Sequence, residues 1–397
     1  MCQWYRLMAP QAKSTTLTSD NLRKYLFDGS ANRLVRLLAI PVRPQHDPSP
    51  PVWSRSDRHT TQDVPINSPN AICKDGKGAK RSRDDEAHFD SSRCHKQIKI
   101  QCCDEKTTPR AAITIFSLPA ELHRLIFSYI EDSKDILSLG VTHIYFFWPI
   151  AREHLEDDCM ADYGLWTVTP VVCVPCYRGP VKFLPNDYPP GLFSAEDIEA
   201  LCKNYIKVLP SVGWNKTGIA WPFMSSVVSF SINRCTRGLE PATEAVRHPI
   251  YSQLYSIGRV ETYFPASQQW ILRNLTTKQL VRSEAIALSP DYIHGPFIDV
   301  IGFGEVVMSR ICWPSSSSVG MTDTSNFSTG VWAGHCFDIT TLSRHEAETD
   351  AAEWNNVSEG IAKEVASIWE AEYGVDWRDI ACKDWHGNHT PGSSVWA

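Results

Sequence analysis

The chain has 397 residues, 39 basic and 45 acidic, for a net charge of −6. Hydrophobic residues make up 43% and charged residues 21%, ordinary globular usage that excludes a wholly disordered, collagenous or coiled-coil chain. No apolar run approaches the ~18 residues of a membrane helix, and residues 1–10 lack a basic-then-apolar leader. The 13 Cys are an odd, scattered set. They are expected to be reduced thiols of the cytoplasm or nucleus, and the sequons at Asn274 and Asn356 are expected to be chance matches.

Charge divides the chain unevenly. Residues 1–112 carry 19 basic and 12 acidic side chains, a net of +7, whereas the other 285 carry a net of −13. The basic part also holds nine of the 26 prolines, and its stretches 43–69 and 75–93 lack apolar periodicity. Such segments bury too little apolar surface to offset chain entropy. Residues 1–112 are therefore expected to be largely disordered. The exception is 22–40, where Leu22, Tyr25, Leu26, Leu34, Leu37 and Leu38 recur at helical spacing behind Ser19 and Asp20 as caps. This reads as a fraying amphipathic helix, or alternatively as a docking helix. The clusters Lys77-Gly-Ala-Lys80-Arg81-Ser-Arg83 and His95-Lys96-Gln-Ile-Lys99 read first as a solvated linker, with a bipartite nuclear signal or a nucleic-acid patch as the alternatives. Asp84, Asp85 and Glu86 cancel much of their charge, and no aromatic interleaving supports nucleic-acid stacking.

Order is expected from Ile113. In 117–130, Pro119 suits a first helical turn and Glu121 complements the helix dipole. Leu122, Leu125, Ile126, Tyr129 and Ile130 form one apolar stripe. Ser133 opens a second helix bearing Ile136, Leu137 and Leu139, and Gly140 marks its end or a tight crossing. The stretch 141–148 is densely aromatic. Trp148 is expected to be extended before Pro149, with a further helix over 150–163. Three short helices cannot cover this apolar surface alone, so the rest of the chain or another chain must do so.

At these residues the chain resembles the F-box family. Leu118-Pro119-Ala-Glu121-Leu122, Ile126-x-x-Tyr129-Ile130 and Asp135-Ile136-Leu137-x-Leu139 match its three blocks over about 50 residues. The usual Cys-Arg-x-Trp block is replaced by Val141-Thr-His-Ile-Tyr145. Downstream, Ile150-Ala-Arg-Glu-His154, Trp270-x-Leu-Arg-Asn-Leu-Thr-Thr-x-x-Leu-Val-Arg282 and Gly330-Val-Trp-Ala-Gly-His335 resemble a group of fungal F-box proteins. The resemblance implies binding, not catalysis. Its helices would dock on a Skp-type adaptor joined to a cullin scaffold and a RING subunit of a ubiquitin ligase. Carried over residue by residue, Leu118, Pro119, Leu122, Ile126, Ile136 and Leu139 would contact the adaptor or support that contact. An unidentified protein substrate would bind the following domain. The alternative is an adaptor-bound scaffold without a ligase role.

Residues 166–397 are expected to form that α+β domain, after an F-box at 113–165. Short apolar runs at 167–174, 227–232, 270–273, 279–286, 300–311 and 330–339 read as strands between turn clusters. A capped helix is expected at 193–208, with Ser194 and Asp197 as a near capping box. A Ser/Thr-rich loop is expected at 315–326. Closing helix at 346–373 carries the stripe Ile361, Val365, Ile368, Trp369 and Glu372, with Gly374 as its stop.

Other chemistry is weighed against plain structure. Cys173-Val-Pro-Cys176 is half a zinc knuckle without a second pair, so no cofactor or metal is expected. Gly302-Phe-Gly304-Glu305 lacks a third glycine and reads as a bulge in a strand. His335 and Asp338 fall on opposite faces of an alternating strand, which separates them as a catalytic pair. Trp270, Trp313 and Trp332 read as core. No enzyme motif emerges, and a Cys-rich zinc protein or enzyme stands as the competing class.

Overall fold

The computed structural model describes residues 4–16, 21–45, 114–143, 147–176, 188–204, 215–217, 253–254, 256–313, 321–322 and 330–388. It is an α+β protein, built among the described residues on an eight-stranded sheet. The strands are β1 (Trp4–Ala9), β2 (Ser14–Thr16), β3 (Pro170–Cys176), β4 (Asn215–Thr217), β5 (Trp270–Asn274), β6 (Gln279–Arg282), β9 (His335–Thr341) and β10 (Asn355–Asn356). Their order is β10-β6-β5-β9-β3-β1-β2-β4. A two-residue pair, β7 (Ile293–His294) and β8 (Phe297–Ile298), stands apart. No helix among the described residues is long and apolar enough to cross a membrane.

The N-terminal expectation is overturned for the residues that can be described. β1 lies inside the sheet, antiparallel to β3 from Trp4↔Cys176 to Met8↔Val172 and antiparallel to β2. Tyr5, Leu7, Met8 and Ala9 are buried. Composition averaged over 112 residues hid this short apolar run. The 22–40 helix is in fact two: α1 (Leu22–Phe27) and α2 (Asn32–Leu38). The side chain of Asn21 caps α1 by accepting from Lys24 N at 2.7 Å, in place of Ser19 or Asp20. Gly29, at φ +78°, turns the chain between the helices, a conformation glycine adopts without a Cβ penalty. Leu22, Tyr25, Leu26, Leu34, Val35, Leu37 and Leu38 all enter the core, so neither helix is a solvent-facing amphipath. The basic clusters at 77–99 lie outside the described residues.

The three helices expected over 117–163 are α3 (Ala120–Ser128), α4 (Ser133–Gly140) and α5 (Trp148–Ala161). Contact density groups 119–397 with 1–46 in one compact unit and leaves 47–118 as another. No boundary falls at 165. Of the second unit the described part is 114–118, with a 3-10 turn at Ile115–Ser117. Within the first unit, α5 and the residues just after it are tied to both earlier and later parts of the chain. Trp148 Nε1 donates to Gln253 Oε1, Tyr163 packs edge-on against Phe264, and Trp166 Nε1 donates to Ser14 Oγ at 2.9 Å. The cover that the short helices require on their inner side therefore comes from the chain itself.

Downstream, α6 (Ala195–Asn204) begins at the expected cap, with Ser194 Oγ accepting from Asp197 N at 3.1 Å. The 279–286 run is half strand, β6, and half helix, α8 (Ser283–Ile286), following the one-turn α7 (Val260–Tyr263). The 300–311 run is a helix, α9 (Phe303–Ile311), not a strand. Phe303, Val306, Val307, Met308 and Ile311 are all buried, and so are Glu305 and Ser309, so the helix is covered on nearly every side and belongs in the core. Its β-branched run imitated a strand. Gly302 and Gly304 serve helix entry and packing in place of a bulge. Glu305 reaches back so that its Oε2 accepts from Gly302 N at 2.9 Å, and a Cβ on Gly304 would lie 2.3 Å from the Ala31 carbonyl oxygen.

The expected closing helix is divided into α10 (Leu342–Glu348), β10 and α11 (Ser358–Tyr373). Gly374, at φ +81°, does end α11, and a further helix, α12 (Trp377–Asn388), follows. The 227–232 run lies outside the described residues, as does most of the 315–326 loop.

Candidate protein-docking surface

α3 is short, and two buried side chains seat it. Pro119 occupies the cap position and Ala120 the first helical residue, with Glu121 in the first turn. On the inner side His123 and Phe127, four residues apart, are buried. The His123 ring meets Phe147 edge-on with centroids 5.4 Å apart, and Phe127 stacks on His154 of α5 at 6.1 Å. An exposed Arg124–Glu153 pair at 3.8 Å adds little in water. Gly140 is inside α4, where its missing side chain lets α4 and α5 cross: a Cβ there would sit 2.3 Å from Ala151 Cβ. Asp132 caps α4 by accepting from Lys134 N at 2.8 Å, and Ser133 Oγ donates to Asp158 Oδ2 of α5 at 2.7 Å. Trp148 is helical, one residue ahead of Pro149 in the first turn of α5, and not extended as its place before proline predicts. Its buried indole, bonded to Gln253, holds it in the helix against the pre-proline preference. Residues 144–146 lie outside the description.

The outer side of α3 is the feature that stands out. Leu122 is 43% exposed, Leu125 50% and Tyr129 80%. At spacings of three and four residues they form one apolar strip facing water. Large apolar side chains grouped on a surface mark partner sites, whereas isolated ones do not.

The six residues singled out from sequence divide into three groups. Pro119 and Leu122 are exposed on α3; Ile126 and Leu139 are half-buried; Ile136 is a core residue at 4% exposure, turned toward the α4–α5 packing. Leu118 falls in the other compact unit, half-buried, with its N–H bonded to Ile115 O at 3.2 Å. Sequence reasoning left Leu125 and Tyr129 out of the site although both belong to its stripe. The signal was present: they sit three and seven residues after Leu122, whereas His123 and Phe127 mark the opposite, seated side.

The remaining candidates have structural partners. His335 Nδ1 lies 3.0 Å from Asn274 Nδ2, while Asp338 forms a bidentate pair with Arg273 at 2.7 Å through both oxygens. The two side chains thus serve different neighbours on β5, as strand alternation predicts. Arg273 also reaches Glu348 at 3.1 Å and lies 5.8 Å from the Trp354 ring centre. Removing one partner of so buried a pair leaves a charge without compensation, at a cost of about 3–5 kcal/mol. Cys173 is a fully buried free thiol whose backbone pairs with that of Cys312, also a free cysteine, in an isolated parallel β-bridge; burial pushes its thiol well up. Burial likewise pushes Cys159, whose Sγ faces Ile257 O at 3.5 Å, up to about 12. Thiols held protonated in this way are inert small hydrophobes. Among the described residues no three His, Cys, Asp or Glu side chains gather as a metal site. Trp270 and Trp332 are core; Trp332 Nε1 donates to Gln279 Oε1 at 3.1 Å, and Trp313 is half-buried.

No family model, curated protein or solved structure matches this chain.

Proposed function

We propose that the protein is an F-box substrate receptor, docking on a Skp-type adaptor of a cullin-RING ubiquitin ligase and recruiting a protein substrate through the body of the α+β fold. The carrying observation is α3: a helix opened by Leu118-Pro119-Ala-Glu121-Leu122, seated by His123 and Phe127, with Leu122, Leu125 and Tyr129 open to solvent. The ordered neighbours α4 and α5 give that strip a rigid backing. Covering such side chains yields roughly 1.5–3 kcal/mol each, enough for a few of them to anchor a standard interface. On this reading the protein is a binding subunit, not a catalyst, and works in the cytoplasm or nucleus.

The test is co-purification with the adaptor. Leu122→Ala combined with Leu125→Ala should cut adaptor recovery at least tenfold and leave the melting temperature close to wild type, because both side chains are exposed. Undiminished recovery overturns the assignment. If the adaptor binds and no protein accumulates when the gene is deleted or the proteasome inhibited, the scaffold alternative replaces the ligase role.

A further inference from the structure

A second feature lies away from α3, where the end of α9 meets the sheet. Cys173 is in the middle of β3, and Cys312 follows the last residue of α9 in an extended conformation. About 140 residues separate the two in the chain. Their backbones pair one to one in an isolated parallel bridge, and Trp313 N donates to Cys173 O at 2.8 Å. On its other side Cys173 is held by β1, where it pairs with Leu7. Both cysteines are free, both are at 0% exposure, and both belong to the main core.

Residues paired across neighbouring strands send their side chains to the same face of the sheet. The thiols accordingly meet: a hydrogen bond to the Cys312 side chain joins burial in keeping the proton on Cys173. Strand neighbours are about 4.7–4.9 Å apart, inside the roughly 4.4–6.8 Å between Cα atoms that a disulfide spans. Either cysteine alone would be a small hydrophobe. Set at one register position on two distant stretches of chain, they have the placement of the two halves of one bond.

We propose that Cys173 and Cys312 form a reversible disulfide, stapling the end of α9 to the centre of the sheet, when the protein meets a small-molecule disulfide such as oxidised glutathione. One cysteine attacks that disulfide as its thiolate and releases one glutathione thiolate. The other attacks the resulting mixed disulfide and releases the second. The protein gives up two electrons and two protons, and one oxidised glutathione becomes two reduced ones. The resting fold keeps the thiols from solvent, so this is a slow lock and not a quick sensor: the first attack needs a thiol that is ionised and reachable. The bridge is a single residue pair without a ladder, which makes it a place where α9 and β3 part by local opening. The pair is independent of the α3 surface, and its failure would leave the docking reading untouched.

Disulfide mapping of the full chain tests this. The protein is equilibrated for hours in glutathione buffers of rising oxidised fraction, blocked with N-ethylmaleimide, digested without reductant and read by mass spectrometry. A peptide pair joining Cys173 to Cys312 should dominate the links within the chain and revert to two alkylated thiols after dithiothreitol. Oxidation should also lower the unfolding equilibrium constant at least about thirtyfold, the low end of what closing a long loop contributes. Cys312→Ala should lose both the linked pair and that shift; the map of the wild-type chain keeps the test valid should this variant fail to fold. Recovery of both cysteines alkylated at the oxidising end, links spread over other cysteines with this pair no commoner than the rest, or a linked pair with unchanged unfolding would each overturn the proposal.

Discussion

At Glu305, burial and hydrogen bonding pull in opposite directions. The side chain is 1% exposed; backbone N–H groups, that of Gly302 among them, favour the anion, but burial dominates and pushes the carboxyl up to about 8, with Asp28 adding to the effect. Its Oε1 has no hydrogen-bond partner among the described residues. In the unfolded chain the same group titrates near the usual ~4.5 of a glutamate. Folding therefore takes up a proton, so the contribution is complete below ~4.5 and declines as pH rises to about 8, by up to about 1.4 kcal/mol per pH unit. Melting temperatures measured from pH 5 to pH 8.5 should fall across that window in the wild type. Glu305→Gln keeps an acceptor for the Gly302 N–H and should flatten the curve; an unchanged slope would assign the pH dependence elsewhere.

Helix packing makes a sharper distinction between two glycines than sequence does. Gly304 of α9 meets the Ala31 carbonyl, with Ala31 C and Asn32 N also under 3.0 Å from a built Cβ; Gly360 of α11 has nothing within 4 Å. Gly304→Ala should cost about 1–3 kcal/mol, because backbone on both sides must give way. Gly360→Ala should stabilise by roughly 0.5–1 kcal/mol through helix propensity. Chemical denaturation of the two variants checks both signs. Elements whose local pattern agreed with their environment were legible: β5, β9, α6 with its Ser194 cap, α11 with its Gly374 stop, and the α3–α5 helices. α9 was not, since a helix buried on every side has no polar face to set a 3.6-residue period. β1 was not, since a six-residue apolar strand disappears within a long polar average. The candidate site was half legible. The stripe on α3 was visible in the spacing, but which of its members face water depends on where α5 and Phe147 lie, and that is a tertiary fact.

The whole molecule depends on its first strand. β1 joins β3 to β2 within one sheet, and buried Tyr5 and Leu7 extend its contact into the main core. Deleting residues 1–16 would expose an edge of β3 along Val172–Cys176 and remove those side chains. The truncated chain should lose its cooperative thermal transition and aggregate through the open edge; a sharp transition within a few degrees of wild type would show β1 to be dispensable. The same arrangement sets a schedule for synthesis. β1 leaves the ribosome about 160 residues ahead of β3, the partner that pairs with most of its length, and more than 320 ahead of β9 on the far side of β3. At ~5–20 residues per second the first wait is roughly 8–32 s. Through that interval the short β2 is the strand partner β1 has among the described residues, so nascent-chain chaperones should engage this protein early, at Trp4–Ala9, and release it only as the centre of the sheet arrives.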